Sequence, residues 1–395
     1  MTPGPPAHAQ RAFPARRLPI GPRIVLLLLL IGLIAGGATA LATHYADGYF
    51  LFAPGTAPVI TDSASCKPSQ GLLSLPDGKP CVRLLLPKDK AHTIDGQLLM
   101  VDVEVSQAGP VDWAEYELGL LGSERQLIPV ADYAGITPTS ELGCQDTQLM
   151  QSANQQAALA ALLALHYHVA EKALGAEVTT VVGGTPAWDA GIKCNDLITA
   201  VDGKKVTNAT QFTDVVRPLP AGAVVRLTDH PGGGTAVKTV KVRLQTTPPK
   251  MVKLGFPQQA YLGVEVTDGL QPILPFNVSV DAGDIGGPSA GLAFTLAILD
   301  ALSSGRLTGG HTVAATGTIT ADGQVGDVGG VQEKTVAVER AGAQVFFVPQ
   351  VEYTVAKKVA GRSLRIVPVT TLNQVLQVLQ QDYGGGFSEA QGTQA

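Results

Sequence analysis

The stretch "AGLAFTLAILDAL" (Ala290–Leu302) constrains the fold more than any other part of the chain. Wound as a helix it is apolar on nearly all sides, and such a helix is stable only when surrounded by other layers of the same domain. Pro288 opens it, at the first helical position where proline is favoured. The residues at this entry, Gly287-Pro288-Ser289-Ala290-Gly291, fit G-x-S-x-G, a pattern that often sets a nucleophilic serine on a turn into a helix. Free N–H groups and the positive end of the helix dipole at such a turn suit a developing oxyanion, with Gly287 and Ser289 as the expected backbone donors. The pattern is short, and a serine near a helix start is often only a cap. The decisive question is which residue takes the proton of Ser289, since a hydroxyl alone is a weak nucleophile.

Histidine is excluded first. The only one after Ser289 is His311, 22 residues on in "TGGHT", with no room for the Ser, acid, His order of an α/β-hydrolase. Lysine is the second candidate. In "GGVQEKTVAVERAGA" (Gly329–Ala343), wound at about 100° per residue, Val331, Ala337, Val338 and Ala341 fall on the side of Lys334. Glu333, Glu339 and Arg340 are expected to point away. Lys334 is therefore expected in an apolar stripe, where a charged amine is costly and burial lowers its pKa. A neutral amine is a competent base for serine. The alternative for Lys334 is a snorkelling or ion-paired structural lysine.

Composition fits a mostly globular chain, with 45% hydrophobic and 15% charged residues. A net charge near -5 gives no reason to expect a nucleic-acid partner. Residues 24–43, "IVLLLLLIGLIAGGATALAT", carry no charge over about 20 positions, the length of a membrane-spanning helix. Arg11, Arg16, Arg17 and Arg23 precede it, so the expectation is a cytoplasmic N-terminus at 1–23, an anchor at 24–43 and all later segments outside the cell membrane. A cleaved signal peptide is the alternative, with "ATA" and "ALA" at 38–42 as small-residue cleavage signals. Cys66 and Cys81 would close a short loop on that oxidising side. No Cys/His spacing supports a metal site, and His166 and His168 face different sides of a helix, so neither metal nor cofactor is expected.

The fold expected is an α+β multidomain protein. Residues 49–149 are β-rich, typified by "GQLLMVDVEV" (Gly96–Val105), and show no catalytic constellation. A connecting helix over Gln148–Leu174 leads into a compact unit, the two together assigned to 150–245. "TPAWDAGIKCNDLITAVDGKKV" (Thr185–Val206) resembles the signature of bacterial PDZ domains, with Pro186, Ala187, Ala190, Gly191, Asp196, Ile198 and Gly203 at matching positions. Asn195 replaces the usual glycine, and Asn also tolerates a left-handed backbone. The resemblance implies strand-addition binding of extended peptides; a spacer with a decayed groove is the alternative, since only Leu174-Gly175 resembles part of the usual carboxylate-binding loop. Residues 256–383 alternate strands and helices, and 384–395 read as a disordered tail.

"GGPSAGLAF" and Lys334, 45 residues after Ser289, resemble the proteolytic domain of the Lon family. That family uses a Ser-Lys dyad, which implies Ser289 as nucleophile, Lys334 as base and Thr316 of "AATGTIT" as a supporting residue. Gly286 stands where the ATP-dependent members carry Asp, and the layout is similar to that of membrane-anchored, PDZ-containing Lon-like proteases. No Gly-x-x-x-x-Gly-Lys-Ser/Thr is present, because "GGVQEKT" has Glu333 in place of the second glycine. The expectation is a membrane-anchored, ATP-independent serine endopeptidase acting on unfolded or exposed extracytoplasmic segments. Its partners are protein or peptide substrates, the membrane through the N-terminal helix, and further copies in a ring as the resemblance implies. The rival is a non-catalytic PDZ adaptor with a Lon-like assembly domain.

Overall fold

The computed structural model describes residues 20–386 except 63, 70, 71, 136, 138, 254, 256 and 304. Arg11, Arg16, Arg17, residues 1–19 of the expected cytoplasmic N-terminus and most of the expected tail lie outside these residues.

The N-terminal expectation is corrected. Residues 24–43 fall within the helix Ile20–Ala46, but among the described residues no helix is long and apolar enough to cross a membrane. Toward its C-terminal end Gly36, Gly37, Thr39 and Thr43 punctuate the apolar run, and both threonine hydroxyls donate to carbonyls one turn back. The last turn packs on protein: Ala46 is fully buried and Tyr45 stacks on Trp113 of the helix Pro110–Glu117.

The β-rich segment is not one body. Tyr49–Pro54 pairs antiparallel with Val103–Gln107 on one side and Gln126–Pro129 on the other, forming a small sheet. Three further strands of the segment, Val59–Thr61, Cys81–Leu85 and Gln97–Leu99, join a seven-stranded mixed sheet. Its order is Ser279–Asp281, Cys81–Leu85, Val59–Thr61, Gln97–Leu99, Thr312–Ala315, Val345–Pro349, Arg365–Val369. From Gln97–Leu99 to Arg365–Val369 the neighbours are parallel. Parallel strands are covered on both faces, which is why "VFFVP" (Val345–Pro349) is apolar and buried throughout.

Helix Gly291–Leu302 is buried at every residue, as its all-round apolar surface requires. It lies against one face of the sheet with Val313, Ala315, Val345 and Phe347. Helix Leu142–Ala164 covers its other side through Ala157, Ala158, Ala160, Ala161 and Leu162, small side chains that let two helices approach closely. Helix Val331–Arg340 packs on the opposite sheet face, where Ala314, Phe346 and Val348 point.

The connecting helix ends earlier than expected, at Ala164, and residues 170–174 are strand. His166 adopts φ 59, a left-handed conformation that stops a helix. The strand Ala170–Val181 belongs to a second sheet, ordered Lys238–Arg243, Val224–His230, Leu197–Val201, Ala170–Val181, Val264–Ile273. Helix Ala209–Val216, capped by Asn208, packs against it. Asn195 adopts φ 68, the left-handed backbone anticipated for it. Val264–Ile273, which lies in the range assigned to the final unit, pairs with Ala170–Val181 over ten residue pairs.

Candidate active site

Ser289 sits in the single 3₁₀ turn Pro288–Ala290 that feeds helix Gly291–Leu302. Gly287 precedes it with φ 88 and ψ 160, a conformation that L side chains rarely adopt. Gly291 is fixed by space instead: a Cβ there would lie 2.9 Å from Ile319 Cγ2 and 3.2 Å from the Ile319 nitrogen. The turn is tied to the carboxyl end of strand Thr312–Ala315. The Ser289 carbonyl accepts from the Gly317 N–H at 2.9 Å and from the Thr316 hydroxyl at 3.1 Å. Thr316 itself is fully buried, and its N–H donates to the Phe347 carbonyl at 3.0 Å. Thr316 thus supports the main chain of the serine.

Lys334 comes from the other face of the sheet. Gly330, at φ 67, begins its helix, and the Lys334 N–H donates to the Gly330 carbonyl at 2.9 Å. The side chain is only 3% exposed. Burial lowers its pKa from 10.5 to about 8, against the opposing pull of Asp102, Glu352 and Glu333. An amine in that range is neutral in a substantial fraction of molecules near pH 8. Glu333 does not point away: it is fully buried, neither carboxylate oxygen has a hydrogen-bond partner, and burial raises its pKa.

Ser289 and Lys334 line one cleft of about 1180 Å³, together with Gly287, Asp102 and Asp146. Open α/β sheets bind ligands beyond the carboxyl ends of their strands, and this cleft is lined by Met100, Val101 and Asp102, just past the strand Gln97–Leu99. The apolar wall comes largely from the segment that the sequence left without a role, through Phe50, Phe52, Met100 and Tyr133, with Leu149 and Met150 from the connecting helix. Asp102 accepts from the Thr56 N–H at 2.5 Å and from the Thr56 hydroxyl at 2.8 Å. Sequence reasoning passed over Asp102, Glu352 and Asp146; the only signal was a charged residue closing the apolar run Leu98–Val101.

One expectation is corrected. The Gly287 N–H, named as an oxyanion donor, donates to the Asp146 carbonyl at 2.9 Å and is not free in this conformation. The helix Leu142–Ala164 reaches the turn and occupies it. His311 is outside the cleft, its Nδ1 3.0 Å from Gln344 Oε1 and its ring against Tyr383. Among the described residues no cluster of three or more His, Cys, Asp or Glu side chains is arranged to hold a metal ion.

Comparison with known proteins gives two domain matches. Residues 277–382 match the Lon protease (S16) C-terminal proteolytic domain, and residues 177–228 match a PDZ domain. The Lon protease of Mycoplasma pneumoniae is 30% identical over 128 residues, which are 32% of this chain and 16% of that protein. The Lon protease of Malacoplasma penetrans is 44% identical over 79 residues, 20% of this chain and 10% of that protein. The chain therefore spans less than a fifth of the length of these relatives. Among solved structures, the PDZ domain of an SdrC-like protein from Listeria monocytogenes aligns with 23% of this chain and 86% of its own, at 22% identity and a TM-score of 0.20. The two family matches support one identification: the chain carries a Lon-type C-terminal proteolytic domain, a serine peptidase domain, beside a PDZ domain.

Proposed function

We propose that the chain is an ATP-independent serine endopeptidase acting on unfolded or exposed protein segments outside the cytoplasm. The observation that carries the reading is Lys334, a buried amine with its pKa lowered to about 8, lining the same cleft as Ser289. Lys334 takes the Ser289 proton as Oγ attacks the scissile carbonyl, then donates it to the leaving amine. Water repeats the sequence on the acyl-enzyme and releases Ser289. Thr316 holds the serine main chain during both steps. The PDZ domain captures or positions the polypeptide, and further copies assemble around the proteolytic domain, as the family resemblance suggests.

An oxidising compartment is supported by two disulfides, Cys66–Cys81 and Cys144–Cys194. Within the 395 residues no phosphate-binding loop motif occurs. Ser289→Ala and Lys334→Ala are each expected to reduce cleavage of an unfolded protein by at least about a thousandfold, with thermal unfolding still cooperative. Wild-type cleavage is expected to be unchanged by ATP and Mg²⁺. Retained cleavage in either folded variant would exclude the dyad.

A further inference from the structure

The Asp146 carbonyl that receives the Gly287 N–H lies near the start of helix Leu142–Ala164. The residue also packs directly on the catalytic turn, since a Cβ added to Gly286 would come within 2.8 Å of the Asp146 Cβ. The same helical turn is fastened to the PDZ domain on both sides of Asp146. Two residues before it, Cys144 is disulfide-bonded to Cys194. Two residues after it, Gln148 Nε2 donates to Glu177 Oε1 at 2.6 Å and to the Val178 carbonyl at 3.4 Å. Cys194 precedes Asn195 and Asp196 of the PDZ signature, and Glu177 and Val178 lie in the strand Ala170–Val181 of that domain's sheet. A backbone N–H has a single proton to donate, and a carbonyl already in place competes with any oxyanion for it.

We propose that Asp146, fixed to the PDZ domain through Cys144–Cys194 and Gln148, is a positioning residue of the peptidase reaction that acts through Gly287. Its carbonyl keeps the Gly287 donor closed, and a shift of this helical turn with the PDZ domain opens it. A polypeptide on the PDZ domain then changes the rate of the chemical step as well as the concentration of substrate, because it favours the open arrangement. The inference rests on the reading of Ser289 as nucleophile.

The test uses the full chain, with Cys144→Ser/Cys194→Ser compared with Cys66→Ser/Cys81→Ser as a control. The first readout is amide hydrogen exchange at Gly287 by NMR, which does not depend on activity. Slow exchange in the wild type and the control, and exchange at least about tenfold faster in the Cys144/Cys194 variant, is expected. The second is casein cleavage, with kcat raised several-fold and KM within about twofold of wild type in that variant alone. Gly286→Ala, which drives a Cβ against Asp146, is expected to have both effects with the disulfide intact, and it carries the test if the serine variant loses cooperative unfolding. Unchanged exchange at Gly287 in both variants overturns the coupling. Faster exchange without a rise in kcat overturns the claim that closure restrains the reaction. A wild type that cleaves nothing, with the exchange response intact, sinks the peptidase reading and the positioning role of Asp146, and leaves only the mechanical link.

Discussion

Lys334 is a residue whose chemistry and packing pull in opposite directions. Its amine is nearly inaccessible and its pKa falls from 10.5 to about 8, so below pH 8 the folded protein holds a buried charge that the unfolded chain would solvate. Between pH 8 and 10.5 the unfolded state binds more protons, so this group's contribution to stability rises with pH across that window. Lys334→Met is expected to remove the penalty, raising stability at neutral pH by on the order of 2–3 kcal/mol while abolishing cleavage. Urea midpoints should show the gain at pH 7, shrinking as pH rises through the window. For the wild type, kcat/KM should climb with pH along a limb centred near pH 8, where the amine loses its proton. A limb near pH 6.5, the ordinary range of histidine, would point to a different base. Ser289, Lys334 and Thr316 could be named as candidates from the sequence because each lies in a short local pattern. Asp102 and Glu352 could not, because only the sheet topology brings them to Lys334. Glu333 was misread because the helical wheel assumed one buried face, whereas this helix is buried at both Lys334 and Glu333.

Helices and long strands could be located from periodicity and caps. The helix of Lys334, Val331–Arg340, falls within the stretch Gly329–Ala343 wound as a helix from the sequence, and Gly291–Leu302 matches the apolar stretch Ala290–Leu302. The connecting helix was drawn too long because nothing in "LALHYHVAEKAL" breaks a helix by composition; His166 does so by its backbone conformation. Strands of three residues such as Val59–Thr61 were beyond reach, since so short a run carries no measurable period. The helix Gly291–Leu302 is the element on which the site depends most. Phe294, fully buried in its first turn, is expected to cost about 3–5 kcal/mol when replaced by Ala. The check is a lower urea midpoint with an unchanged m-value, together with weakened cleavage as the Ser289 turn loses its anchor. A loss below 1 kcal/mol would mean the surroundings collapse into the void.

The whole molecule departs most from its sequence outline in how its parts share strands. The family match begins at residue 277, yet three of the seven strands in the sheet beneath it come from residues 59–99. A piece comprising only residues 256–395 would lack Gln97–Leu99, the partner of Thr312–Ala315, and would leave that parallel edge bare. Such a piece is expected to show no cooperative thermal transition by circular dichroism, whereas residues 49–395 should retain one. A sharp transition in the short piece would refute this account of the sheet. The long-range pairing was hidden from sequence reasoning because the two strand sets lie some 200 residues apart and neither announces the other. The serine and the lysine ride on helices against opposite faces of this shared sheet. A newly made chain therefore holds Ser289 and Lys334 before it holds the cleft that both line. Until its early strands have closed on its late ones, the two residues share no cleft. On the proposed peptidase reading, completion of folding is the first safeguard against a half-made chain cutting its neighbours or itself.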